Sequence, residues 1–141
     1  MLLVVAAAGM ACGSGQGEKR VRPGQAAAGD TGAIYQLVID LPELGQYYHA
    51  DMPGRKPLVV LRNSLTESQP LLRKFGEPVK ITSASALGPE TPFLEFTRLE
   101  MVGDSAHVEF EYRIEGVRGR VALVREGVVW EVVAKELAER R

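Results

Sequence analysis

Residues 93–137 read FLEFTRLEMVGDSAHVEFEYRIEGVRGRVALVREGVVWEVVAKEL, and their pattern decides the fold. The pairs Gly103-Asp104, Glu115-Gly116 and Glu126-Gly127 divide the stretch into four runs of roughly ten residues, each pair supplying a glycine for the positive φ of a tight hairpin turn. Pairing Val102 with Ser105 sets Leu99 opposite Val108. Pairing Ile114 with Val117 sets Phe110 opposite Val121 and Val108 opposite Leu123, and pairing Arg125 with Val128 sets Leu123 opposite Trp130. One face is then apolar across all four strands. The same alignment puts Arg98 opposite Glu109, Glu100 opposite His107 and Glu111 opposite Arg120 on the other face. A slip of one residue would invert both faces, so turns and side chains agree on an antiparallel meander.

The residues upstream supply what covers it. Asp30 is an N-cap type, and Ile34, Leu37 and Val38 follow at helical spacing, which predicts a short amphipathic helix from Thr31 to about Asp40, closed by Pro42 and Gly45. The segment QYYHADMPGRK, with its Pro53-Gly54 pair, reads as a loop. Pro57 to Arg62 and Pro78 to Thr82 read as brief strands. Between them Ser68, Pro70, Leu71, Leu72 and Phe75, ending at Gly76, suggest a short helix. The expected fold is α+β: an N-terminal helix packed on an antiparallel sheet dominated by a four-stranded C-terminal meander. Its element order is similar in outline to cystatin-like or nuclear-transport-factor-like folds, a likeness of order that fixes no function.

Length and charge narrow the function. The 141 residues fit one domain, and 45% hydrophobic with 25% charged residues is the balance of a globular chain. The net charge is −1, and the part from Asp30 onward is mildly acidic, which argues against a nucleic-acid partner because phosphate binding needs clustered Lys and Arg. The single cysteine excludes an internal disulfide and a Cys-rich zinc site.

That cysteine closes a distinctive N-terminus, MLLVVAAAGMAC, an apolar run followed by small residues. The run is far shorter than the ~20 apolar residues of a membrane span. GSGQGEKRVRPGQAAAGD follows without apolar periodicity and reads as a flexible tether. The arrangement resembles bacterial lipoprotein signal peptides, which implies acylation of Cys12 and a membrane-anchored protein in the periplasm or on the outer surface. Simple secretion, with cleavage after Ala8 or Ala11, and a cytosolic protein with an unusual N-terminus are the competing readings. The expected organisation is an export signal at 1–12, a tether at 13–29 and one α+β domain at 30–141.

Residues able to do chemistry are few. Tyr47, Tyr48, His49 and Asp51 cluster in the loop that ends at Arg55, where His49 and Asp51 could act as base and orienter. Paired tyrosines plugging the core, with His49 in solvent, explain the same residues. His107 with Glu100 and Glu109 is a second acid/base candidate, set against a solvated ladder of opposite charges. No G-x-S-x-G, phosphate-cradling glycine loop or H-E-x-x-H is present, and no cofactor or metal is expected. The favoured expectation is therefore a non-catalytic, surface-tethered binding or accessory module with a possible envelope protein partner. It would bind through the exposed sheet face, a free strand edge at Phe93, or Tyr47, Tyr48, His49 and Arg55. The alternative is a small hydrolase or isomerase using Tyr48, His49 and Asp51 in a pocket between helix and sheet.

Overall fold

The computed structural model describes residues 28–140, a mixed α+β arrangement with two short helices and one large sheet. Helix α1 spans Ala28–Ile39 and a 3-10 turn at Pro42–Leu44 leads into the single helical turn α2, Gly45–Tyr48. The strands are β1 (Val59–Leu61), β2 (Arg73–Lys74), β3 (Glu77–Pro78), β4 (Lys80–Thr82), β5 (Leu94–Val102), β6 (Ser105–Tyr112), β7 (Val117–Glu126) and β8 (Val129–Glu139). Six of them form a sheet in the order β4-β1-β5-β6-β7-β8, and β2 with β3 forms a separate small hairpin. Cys12 and the residues before Ala28, where an export signal and a tether are expected, lie outside the described residues.

The last four strands form the consecutive antiparallel meander, but the sheet as a whole is mixed, because β1 runs parallel to both β4 and β5. Strand β5 therefore lies inside the sheet, and the edge expected at Phe93 does not exist. The nearly all-apolar PLVVLR carries the signature of a strand with neighbours on both sides, which gives no indication of their direction.

Register follows the expectation in one hairpin and departs from it by two residues in the others. Val102 pairs with Ser105 and Leu99 with Val108 as the Gly103-Asp104 turn dictates, with Gly103 at φ 58°. A bulge at Thr97 then advances β5 so that Phe96 faces Phe110. Between β6 and β7 the turn is longer than two residues: Arg113–Glu115 form a 3-10 turn closed by Gly116 at φ 69°. Tyr112 consequently pairs with Val117, Phe110 with Gly119 and Val108 with Val121. Gly127-Val128 makes the last turn, so Glu126 pairs with Val129 and Trp130 with Arg125, with a second bulge at Val133. Side chains alternate with period two, so a shift of two changes partners and keeps faces.

The kept face is the core. Val108, Phe110, Tyr112, Val121, Leu123 and Trp130 are buried, and α1 lies over them with Ile34, Tyr35, Val38 and Ile39 fully buried. Tyr35 stacks on Phe96 at 3.9 Å between ring centres and 15° between planes, and its hydroxyl donates to the Leu65 carbonyl at 2.9 Å. Asp30 is not the N-cap. The helix begins two residues earlier, and from its first turn the Asp30 carboxylate accepts from Trp130 Nε1 at 3.1 Å and pairs with Arg125 at 3.1 Å. A carboxylate there also suits the positive end of the helix dipole.

The helix expected around Leu71 is absent. Gln69 has φ 51°, and Phe75 and Gly76 both have positive φ, as a primed hairpin turn requires, so this segment folds as β2 and β3. Leu71 is 97% exposed while Leu72 is buried. Alternation in a hairpin, not a helical stripe, explains that pair.

Candidate functional site

The loop after α1 closes one end of the domain. Tyr48 is buried, its ring edge-on to Tyr112 at 5.5 Å and to Phe75 at 5.6 Å, and its hydroxyl donates to the Ile39 carbonyl at 2.8 Å. Burial pushes the Tyr48 phenol far above the ordinary tyrosine range. Tyr47 is half-buried and donates to Glu139 Oε2 at 2.6 Å, a bond that raises its own pKa because ionisation would set two negative charges together. His49 ends α2 in the left-handed region at φ 49°.

Arg55 organises this loop. Its guanidinium meets Glu115 Oε2 at 2.9 Å and reaches the Tyr48 and Tyr47 carbonyls at 3.3 and 3.5 Å, capping the C-terminal end of α2. Glu115, in the β6–β7 turn, also lies 3.5 Å from His49 Nε2. The Glu115 carboxylate holds the Arg55 guanidinium pKa above its usual value. The structure thus brings Tyr47, Tyr48, His49 and Arg55 together, but around Glu115 and not around Asp51. Asp51 is exposed and forms no side-chain hydrogen bond or ion pair among the described residues, and the carboxylate beside His49 is that of Glu115. Locally, Glu115 reads only as half of the Glu115-Gly116 turn pair. Its separation from Arg55, 60 residues along the chain, hides it from any local motif.

The outer sheet face offers a different kind of surface. Arg98 pairs with Glu100 at 3.1 Å and Glu109 at 3.5 Å, Arg113 with Glu111 at 3.0 Å and Glu95 at 3.2 Å, and Arg120 with Glu136 at 3.3 Å. His107 faces Glu100 across β5 and Ala122 across β7, as the register predicted for the first pair. No hydrogen bond joins His107 to Glu100. A trough of about 630 Å³ runs over this face, walled by Arg98, Glu100, His107, Glu109, Arg120 and Glu136, with Ala122 and Ala134 leaving its middle low. A second hollow of about 370 Å³ adjoins it, where Arg118 is exposed and forms no ion pair among the described residues.

Chemically the two regions differ. The loop cluster uses its polar groups internally, in bonds that join α2 to the β6–β7 turn and to β8. The trough is open to water, and its side chains pair with one another across the sheet surface. Exposed pairs there are weak because water screens them, so they exchange readily for pairs with another molecule. Among the described residues no group of three or more His, Cys, Asp or Glu side chains could hold a metal ion, and no helix is long and apolar enough to cross a membrane. Comparison with protein-family models, curated proteins and solved structures finds no match to this chain.

Proposed function

We propose that the chain is a non-catalytic, surface-tethered binding or accessory module of the bacterial cell envelope, exported and held at a membrane through acylated Cys12. The observation that carries this reading is the division of polar groups. Arg55, Glu115, Tyr47 and Tyr48 are engaged within the fold, whereas the charged trough over β5–β8 faces solvent. An envelope protein with an extended, mixed-charge segment suits such a face. The helix-first, meander-last order, similar in outline to cystatin-like or nuclear-transport-factor-like folds, is compatible with this use. A hydrolase or isomerase built on Tyr48, His49 and Asp51 would need the three side chains on one cavity. Tyr48 instead packs against Tyr112 and Phe75 while Asp51 stands in solvent.

Acyl chains bury at ~0.8 kcal/mol per CH₂, so a multiply acylated Cys12 would hold a water-soluble domain at the membrane. Mass spectrometry of the membrane fraction is expected to find a mature chain beginning at an acyl-modified Cys12, and Cys12→Ser should move the protein to the soluble fraction. A mature chain without acyl groups, or membrane partition unchanged by Cys12→Ser, would overturn the anchor.

A further inference from the structure

We infer that the domain presents one particular end to the lipid surface, the end at which α1 begins; this rests on the proposed tether. Arg125 fixes which elements meet there. It pairs with Asp30 in the first turn of α1 at 3.1 Å and with Asp104 in the β5–β6 turn at 2.8 Å, and it sits beside the β7–β8 turn. The chain therefore enters the fold at the same end as both hairpin tips.

That end is also where apolar side chains are left in water. Val128 is 91% exposed, Val102 70% and Val129 61%, and all three belong to the two tips. Leu71, 97% exposed, follows Pro70, which lies against Gly32 in the same part of α1. The acids nearby are partly neutralised, since Asp30 and Asp104 share Arg125, which leaves Glu126 as the exposed carboxylate of the β7–β8 tip. The opposite end carries Arg113, Glu115, Glu139 and Arg140, and its exposed large apolar side chains are fewer and less exposed: Ile114 at 42%, and Met52 at 46% in the loop that His49 and Arg55 tie to Glu115.

The occupant of the apolar end is a bilayer surface, for two reasons. Sixteen residue steps separate Cys12 from Ala28 and span at most about 55 Å. That exceeds the width of a domain whose radius of gyration is about 13 Å, so the anchor alone lets any face turn to the lipid and surface chemistry selects among them. Burying exposed aliphatic groups in the headgroup boundary is favourable, while carrying the ion-paired opposite end there is not. The segment before Ala28 adds Lys19, Arg20 and Arg22 against a single Glu18, which favours contact with anionic headgroups.

An environment-sensitive dye on Val128→Cys, with Ile114→Cys as the matched site at the other end, tests the orientation in vesicles of phosphatidylcholine containing a brominated fraction. The acylated chain leaves only the introduced thiol free. A second preparation carries Cys12→Ser and an N-terminal histidine tag held by chelating lipids, so that tethering no longer depends on acylation. Dye at position 128 should be quenched by the brominated lipid and shielded from aqueous iodide several-fold more than dye at position 114, in both preparations. Adding Val102→Asp and Val129→Asp should erase the difference while circular dichroism stays unchanged. Equal quenching at the two positions in the tag-held chain overturns the orientation whatever the state of Cys12. A difference seen there, with no acyl group found on the native chain, upholds the orientation and sinks the anchor instead.

Discussion

Replacing Gly119 with alanine tests the packing on which the β6–β7 register depends. Gly119 is buried directly opposite Phe110, and a Cβ built on it lies 2.6 Å from Phe110 Cζ, 2.8 Å from Cε1 and 3.2 Å from the Glu136 carbonyl oxygen. Carbon atoms prefer roughly 3.5–4.0 Å, so the ring has to move by about 1 Å. Phe110 is only 1% exposed, and that displacement is resisted by close-packed neighbours. Two effects oppose each other. Removing a strand glycine gains about 0.5–1 kcal/mol from the smaller entropy of the unfolded chain, and overpacking a core loses about 1–3 kcal/mol. The contact is with a buried ring and not with a free side-chain end, so packing wins and Gly119→Ala should lose about 1–2 kcal/mol. Urea unfolding should show a lower midpoint at unchanged slope, and thermal unfolding a fall of about 4 °C per kcal/mol. Phe110→Leu lacks the two ring atoms in question, so in that background the alanine should lose far less, a coupling that a double-mutant cycle reads directly. The argument fails if Gly119→Ala is neutral in the native background, or equally destabilising in both.

Arg55→Met removes the bonds to Glu115 and to the Tyr47 and Tyr48 carbonyls, and should lower stability by about 1–2 kcal/mol by denaturant unfolding, with faster proteolysis at residues 49–57. Asp30→Ala, which strips Trp130 Nε1 and Arg125 of their shared partner, should lose about 1–2 kcal/mol. Asp30→Asn, which keeps an acceptor for the indole, should lose less by the same measurement. Burial raises the phenol pKa of Tyr35, Tyr48 and Tyr112 above the ~10 of an unfolded chain. The native state keeps protons there that the unfolded state releases, so stability is full below pH ~10 and falls as pH rises above it. Phenolate absorbance from these residues should appear only with alkaline unfolding, and Tyr48→Phe should flatten the decline. A phenolate signal that grows while circular dichroism is unchanged would count against their burial.

The faces of the meander were legible in the sequence and its partners were not, for one physical reason. A strand repeats every two residues, so Phe110, Val121 and Trp130 declare their side whatever the turn length, as long as the error is even. Both misplaced hairpins are off by two. Gly116 and Gly127 read as turn glycines, but nothing local tells whether a glycine sits in a two-residue loop or ends a 3-10 turn. The bulges at Thr97 and Val133 leave no mark in either residue. Helix α1 is readable from Ile34, Leu37 and Val38, whereas the β2–β3 hairpin is hidden because Leu71, Leu72 and Phe75 mimic a helical stripe, although Leu71 stands in solvent while Leu72 is buried and Phe75 packs on Tyr48. In the loop cluster the residues were identified and their arrangement was not. Tyr47, Tyr48, His49 and Arg55 are neighbours in sequence, but Glu115 and Glu139, which decide what they do, arrive through tertiary contact.

For the binding module proposed above, edge protection favours the sheet face over the β8 edge as the recognition surface. A long free edge is a template for pairing with another chain, and β8, at eleven residues, is such an edge, whereas β4 at the other side has three. Strand β8 is interrupted at Val133 by the bulge, which breaks the even spacing of its outward amides. Its inward side chains are also committed: Lys135 to Glu43 at 3.0 Å and Glu139 to the Tyr47 hydroxyl. An incoming strand would meet an irregular ladder. A segment lying in the trough meets Ala122 and Ala134 in the middle and trades the exposed Arg98 and Arg120 pairs for its own at little loss. The bulge at Val133 immediately precedes Ala134 in the floor of the trough, so the irregularity that interrupts the edge ladder adjoins the face that stays open.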